Sequence, residues 1–160
     1  MADTEDINEE QAEPVAPKFN FTTAEEYLSP AEEAAQKEDF DTATAILREA
    51  AALYPGNATV NYDLGVAIFM KLKADLAHLE IWEDLAGQEE LAEECFDAYQ
   101  AAIEADPKMT AAYNNLGLLL ALRGRKRKAL EVLDQSLEIN PDQPDIREEA
   151  GQIRQQISEE

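Results

Sequence analysis

The 160-residue chain has few of the residues from which catalytic and metal sites are built. It contains one histidine and one cysteine, His78 and Cys95, so neither a histidine-based nucleophile relay nor a cysteine–histidine metal site can be assembled from one chain. A single cysteine also excludes an internal disulfide. No phosphate-binding loop or calcium loop occurs. We therefore expect a protein that is not an enzyme, with no catalytic residue, cofactor or metal.

Basic residues are scarce as well. The chain has 13 lysines and arginines against 35 aspartates and glutamates, which gives a net charge of -22. This charge opposes binding to nucleic acid and to anionic membrane surfaces. There is no secretory signal and no apolar run near the ~18 residues that a membrane span requires. We expect a cytoplasmic protein.

The N-terminal segment differs in composition from the rest of the chain. Residues 1–20 hold six acidic residues, one lysine and two prolines, and little that is apolar. Such segments cannot bury enough apolar surface to fold. We assign residues 1–22 to an acidic disordered arm and residues 23–158 to one folded domain.

A repeated spacing runs through the domain. Gly65 and Gly117 lie 52 residues apart, and Gly151 follows Gly117 by 34 residues. The same two intervals separate three prolines that close apolar stretches: Pro55, Pro107 and Pro141. Independent residue types thus agree on a period of 34 residues, with 18 residues inserted between Gly65 and Cys95.

This pattern resembles the tetratricopeptide repeat, a helix pair with leucine–glycine, a small residue, an apolar residue and a closing proline at fixed places. The best copy has Leu116, Gly117, Ala129, Leu133 and Pro141. The interrupted copy has Leu64, Gly65, Cys95, Tyr99 and Pro107, and the degenerate first copy has Pro30, Ala31, Ala43, Leu47 and Pro55. The resemblance implies an all-α, right-handed solenoid of antiparallel helix pairs. The repeats are expected at about 24–57, 58–109 and 110–143, with a capping helix at 145–158.

Prolines, glycines and capping residues, together with apolar periodicity, predict helices near 30–37, 40–53, 59–72 and beyond, 88–105, 110–122, 126–139 and 145–158. The segment Ser29–Pro30–Ala31–Glu32 is typical of a helix start. In the last helix, one apolar stripe is predicted to pack on the domain: Ile146, Ala150, Ile153 and Ile157. Glycine costs a helix about 1 kcal/mol relative to alanine. The resemblance implies that Gly65 and Gly117 offset this cost by allowing the second helix of each pair to approach closely.

The insertion leaves two interpretations open. Apolar residues continue at helical spacing, which predicts a third helix that extends to about Ala86, with Leu79, Trp82 and Leu85 as an exposed hairpin-tip interface. Alternatively, the turn comes earlier, Asp84 is the N-cap, and Gly87 lies inside the next helix, so that the two helices lengthen nearly equally and cover each other.

The resemblance places ligand contacts on the concave surface lined by the first helices. Transferred by position, these contacts are Tyr62, Val66, Phe69, Met70, Asn114, Leu118 and Leu122. Asn114 is a polar residue among leucines and is expected to bind a peptide backbone. The family's carboxylate clamp wants lysine or asparagine at the place of Tyr62 and asparagine at the place of Val66. This departure opposes capture of a chaperone's acidic C-terminus.

A basic run lies at the predicted turn of the third repeat: Arg123, Arg125, Lys126, Arg127 and Lys128. It holds five of the thirteen basic residues. We interpret it as a solvated turn. The alternatives are a phosphate or nucleic-acid patch, which the surrounding acidity opposes, and a docking site for the acidic N-terminal segment or for an acidic partner.

The sequence thus predicts non-catalytic protein–protein interaction, an adaptor that binds a peptide or helix in an apolar groove. One alternative is a small dedicated chaperone similar to those of type III secretion, which hold apolar segments of a client. Another is a scaffold or homodimer that assembles through the elongated hairpin. The sequence does not identify the partner.

Overall fold

The structure, a computed structural model, describes residues 18–77 and 87–159. These residues form seven helices and no strand. The helices are α1 (Ala24–Gln36), α2 (Phe40–Leu53), α3 (Ala58–Asp75), α4 (Glu89–Ala105), α5 (Thr110–Leu122), α6 (Lys126–Ile139) and α7 (Pro144–Ser158). Each helix packs on the next, and the closest pairs are α1–α2, α3–α4 and α5–α6. The all-α solenoid of helix pairs is confirmed.

The two helical glycines lie where the paired helices meet. A Cβ atom on Gly65 would lie 2.6 Å from Cε1 of Tyr99, and one on Gly117 would lie 2.5 Å from Cδ2 of Leu133. Real Cβ atoms do not approach other atoms so closely. The predicted close approach is confirmed, with one change: the nearest atoms belong to large side chains of the second helix rather than to its backbone. The Cys95 thiol also donates a hydrogen bond to the Gly65 carbonyl, at 3.3 Å.

Helix α1 begins six residues before Pro30, so the predicted start at Ser29–Pro30 is wrong. The first turns of α1 are held by burial of Ala24 and Tyr27. The side chain of Glu26 also accepts a hydrogen bond from the backbone N–H of Thr22, at 2.6 Å. Tertiary packing therefore outweighs the local helix-start signal, and Pro30 is accommodated inside the helix.

Residues 18–22 pack on the helices, so the predicted arm boundary at residue 22 lies too far along the chain. The carboxylate of Glu49 accepts hydrogen bonds from the backbone N–H of Lys18, at 2.7 Å, and of Phe19, at 3.0 Å. Phe21 packs edge-on against Tyr27, with ring centroids 4.9 Å apart. Residues 1–17 lie outside the described residues.

Helices α3 and α4 are both longer than the helices of the next pair. Helix α3 has 18 residues and α4 has 17, whereas α5 and α6 have 13 and 14. Helix α3 ends at Asp75, so its predicted extension to about Ala86 is wrong. Gly87 has a φ of 87° and precedes α4, so it does not lie inside that helix either. The Gln88 side chain donates to the Asp75 carboxylate at 3.3 Å, which joins the end of α3 to the start of α4.

The predicted hairpin-tip residues Leu79, Trp82 and Leu85 fall in residues 78–86, outside the described residues, as do His78 and the proposed cap Asp84. At the other end of the domain, α7 packs on α6 through the predicted stripe. Ala150 and Ile153 are buried, and Ile146 and Ile157 are partly buried against the core. Its outward face is polar, as the end of a stacked array requires.

The glycine contacts predict opposite effects for two identical substitutions. Gly65→Ala should lower the free energy of unfolding by about 1–2 kcal/mol, because overpacking against the buried Tyr99 ring outweighs the gain in helix propensity. Gly151→Ala should raise it by about 0.5–1 kcal/mol, since no atom lies within 4 Å of the added methyl group. Urea unfolding followed by circular dichroism measures both. Equal stabilisation by the two substitutions would contradict the close contact at Gly65.

Candidate functional site

The predicted groove residues of α3 divide into exposed and buried side chains. Val66 and Met70 line a cleft, and Met70 is 43% exposed. Phe69 is only 6% exposed and belongs to the core, so its assignment to the groove surface is wrong. Tyr62 is partly buried, and its hydroxyl oxygen accepts a hydrogen bond from Asn115 Nδ2 at 3.3 Å. It therefore ties α3 to α5.

The amide group of Asn114 forms hydrogen bonds within the fold. Its Nδ2 donates to Gln143 Oε1 at 2.8 Å, and its Oδ1 accepts from Ser136 Oγ at 2.6 Å. Ser136 is fully buried, so this network joins α5, α6 and the start of α7. Asn114 is partly buried and keeps a second amide N–H, so its contact with a peptide backbone stays a prediction.

The remaining predicted residues lie on α5. Leu118 is 37% exposed. Leu122 is partly buried against the core. In the repeat register, Leu118 corresponds to Val66, and Leu122 corresponds to Met70. Each of these two places thus holds one exposed apolar side chain: Leu118 on α5 at the first place, and Met70 on α3 at the second.

A cleft of about 410 Å³ lies between α1 and α3, with the buried Leu47 of α2 behind it. Its volume is in the usual range for ligand sites. The lining is mainly apolar: Leu28, Ala31, Ala35, Leu47, Val66, Ala67 and Met70. Two carboxylates, Glu32 and Asp63, complete it. Leu28, Glu32 and Asp63 were not predicted from the sequence. Glu32 could have been, because it occupies in α1 the repeat position that Val66 holds in α3.

Asp63 is the chemically distinctive residue of the cleft. It is partly buried and has no hydrogen bond or ion pair with any residue that the structure describes. Burial, helped by repulsion from Glu32, raises the pKa of Asp63 from 3.8 to about 6. The carboxylate is therefore ionised at neutral pH without a compensating partner.

The repeat register explains why Asp63 has no partner. Asp63 corresponds to Asn115, and Leu28 corresponds to Tyr62. Between α3 and α5, Tyr62 and Asn115 form a hydrogen bond across the junction. Between α1 and α3, the same two places hold Leu28 and Asp63, and a leucine cannot donate a hydrogen bond. The α1–α3 junction therefore has a cleft at the position where a hydrogen bond closes the α3–α5 junction.

The basic run at the α5–α6 turn is partly engaged within the fold. Arg123 Nη1 donates to Glu93 Oε1 at 2.6 Å, and Arg125 lies 3.8 Å from the same carboxylate. Arg127 and Lys128 are exposed. The pKa of Glu93 is lowered, chiefly by its hydrogen bond with Arg123. An acidic partner at this turn stays a prediction, and it would contact Arg127 and Lys128 more readily than Arg123.

Cys95 is fully buried, and burial raises the pKa of its thiol. A thiol in this state packs like a small apolar residue. Residues 18–77 and 87–159 contain no cluster of histidine, cysteine, aspartate and glutamate that could hold a metal ion. Among the same residues, no helix combines the length and apolar character needed to cross a membrane.

Comparisons with known proteins agree with this geometry. Residues 97–144 match the family model of the tetratricopeptide repeat. No curated protein shows significant similarity to the chain.

Several solved structures are similar to this chain, among them tetratricopeptide-repeat domains. The domain of Arabidopsis OM64 superimposes with a TM-score of 0.67 at 16% identity, covering 82% of this chain and 94% of that one. The first domain of Spaghetti (RPAP3), bound to the HSP90 peptide SRMEEVD, gives 0.68 at 14% identity, covering 84% and 93%. MamA gives 0.70 at 22% identity, covering 85% and 69%. At these identities the likeness shows the fold.

The ionisation of Asp63 should oppose folding. Because its pKa in the folded state lies above the unfolded value, stability from this group is present at low pH and is lost as pH rises from about 4 to 6. Asp63→Asn should therefore raise the free energy of unfolding at pH 7.5, by roughly 1 kcal/mol after allowance for solvent screening of a partly exposed group. The gain should shrink by about half at pH 5.

Urea unfolding at the two pH values measures this difference. Asp97→Asn, which removes one exposed carboxylate from α4, is the matched control. A gain that is the same for both variants, or that does not change with pH, would contradict the raised pKa of Asp63.

Proposed function

Because the chain carries tetratricopeptide-repeat sequence at residues 97–144 and the fold of that family over its described length, we propose that it is a non-catalytic adaptor that binds a segment of a partner protein along its first helices. The observation that carries this proposal is the cleft between α1 and α3, together with the exposed apolar side chains of Met70 on α3 and Leu118 on α5. Exposed apolar surface of this kind is typical of interaction sites.

Similar domains provide support by analogy. Spaghetti (RPAP3) is described with an HSP90 peptide, and the TPR2B domain of yeast Sti1 is described in complex with a peptide of Hsp70. Fold-level analogy supports peptide binding as a class of function and does not transfer the ligand. In this chain, Glu32 and Asp63 line the cleft, so an acidic peptide such as SRMEEVD would meet like charge there.

The proposal also accounts for which side chains remain exposed. Met70 and Leu118 are 43% and 37% exposed, and both are unbranched at Cβ, so they can adapt to a ligand surface. Their neighbours Phe69 and Leu119 are buried and maintain the helix packing. Binding through the first two would leave the fold unchanged.

Substitution of the exposed apolar residues should separate binding from folding. Peptides selected from a random phage-displayed library should lose at least about tenfold in affinity for Met70→Gln and for Leu118→Gln, because each change removes apolar contact area, a loss of about 1.4 kcal/mol. Isothermal titration calorimetry measures the affinities. Leu53→Gln is the matched control, since Leu53 is 46% exposed at the end of α2.

The control variant should bind the selected peptides as the unchanged protein does. A library that yields no binder would contradict the adaptor function, and peptides that weaken equally with Leu53→Gln would place the interaction elsewhere. Thermal unfolding of each variant checks that the fold is retained.

A further inference from the structure

The charge of the α1–α3 cleft indicates which kind of segment it accepts. Its two charged lining residues are both acidic: Glu32 from α1 and Asp63 from α3, while α2 contributes only the apolar Leu47. Neither carboxylate forms an ion pair with a lysine or arginine of the described residues. Elsewhere in the described structure, cations that pair with carboxylates do so outside this cleft, as Arg48 does with Glu94 and Arg123 with Glu93.

We propose that this cleft binds a cationic side chain, lysine or arginine, carried on an apolar segment of a partner protein, with the charged group between Glu32 and Asp63. This proposal rests on the proposed adaptor function and specifies its ligand. The aliphatic stem of a lysine or arginine is matched by the alanine, leucine and valine walls, and its charged end by the two carboxylates. A basic segment is also steered toward a chain with a net charge of -22.

The missing cross-junction hydrogen bond supports this assignment. Between α3 and α5, the hydroxyl of Tyr62 occupies the junction and is bonded to Asn115. Between α1 and α3, Leu28 leaves the equivalent space open and Asp63 without a donor. A ligand ammonium or guanidinium group would supply the donor that Leu28 lacks, and it would offset the burial of the Asp63 charge.

The test uses three synthetic peptides in an apolar sequence with blocked ends, which differ only at the central residue: lysine, norleucine or glutamate. Isothermal titration calorimetry with the full chain at pH 7.5 should show the lysine peptide binding at least tenfold more tightly than the norleucine peptide, and the glutamate peptide binding most weakly. Lowering the pH to 5 should reduce the lysine preference, because Asp63 gains a proton while lysine stays charged.

Two variants locate the effect. Asp63→Asn should sharply reduce the preference for lysine over norleucine, since Glu32 is then the one carboxylate left in the cleft, whereas Asp97→Asn, the control for net charge, should retain the full preference. Leu28→Tyr should also reduce it, because the added hydroxyl supplies a donor for Asp63 and fills the cleft as Tyr62 does at the next junction.

The outcomes distinguish this proposal from the adaptor function. Equal binding of the lysine and norleucine peptides, or a lysine preference that Asp63→Asn leaves unchanged, overturns the cationic specificity and leaves a peptide-binding groove. Failure of all three peptides, together with failure of the random library, overturns both. If spermine competes for the site at Asp63 as strongly as the lysine peptide binds it, the cleft is a site for a small polyamine. If the protein self-associates and Asp63→Asn abolishes this self-association, the cleft binds the basic turn of a second copy. Either result overturns the partner-segment proposal.

Discussion

The architecture depends on one contact repeated in two helix pairs: a glycine of the first helix lies directly under a large side chain of the second. Tyr99 covers Gly65, and Leu133 covers Gly117, at distances that exclude any Cβ atom on the glycine. This contact fixes the separation of the paired helices, and the Cys95 thiol can then reach the Gly65 carbonyl. The loss of helix propensity at each glycine is small compared with the packing that it allows.

The first pair follows the same design with different residues, and the candidate site arises from that difference. Helix α1 presents Ala31 and Ala35 toward α3, and small side chains leave space between the helices. The second junction is closed by the bond between Tyr62 and Asn115. The first junction therefore has a cleft with an unpaired carboxylate because two residues of the repeat register differ, while the backbone architecture stays the same.

The 34-residue spacing and the prolines and glycines at the turns predicted most of the fold from the sequence. Helices α2, α5 and α6 begin and end where the spacing of prolines and glycines placed them. Local signals failed at two boundaries. Pro30 marks a helix start in isolation, but burial of Tyr27 extends the helix before it, and the apolar spacing beyond Leu76 continues past the end of α3.

The candidate site was less predictable, because its properties arise from contacts between distant residues. Transfer by repeat position found Val66, Met70 and Leu118, which are exposed or line the cleft. It also selected Asn114, whose amide forms hydrogen bonds with Ser136 and Gln143 from later in the chain. Nothing in the local sequence distinguishes Asp63 among 35 acidic residues, since its raised pKa depends on a cavity formed with another helix.

The open position above Gly151 makes the solenoid a template for extension by design. Gly151 has the register of Gly65 and Gly117, yet nothing lies within 4 Å of its missing Cβ. An engineered helix appended after α7, with a leucine at the place that Leu133 holds in α6, would place that leucine over Gly151. The polar residues on that face, such as Gln152 and Gln155, would have to be exchanged for apolar ones at the same time, because a new helix would bury them.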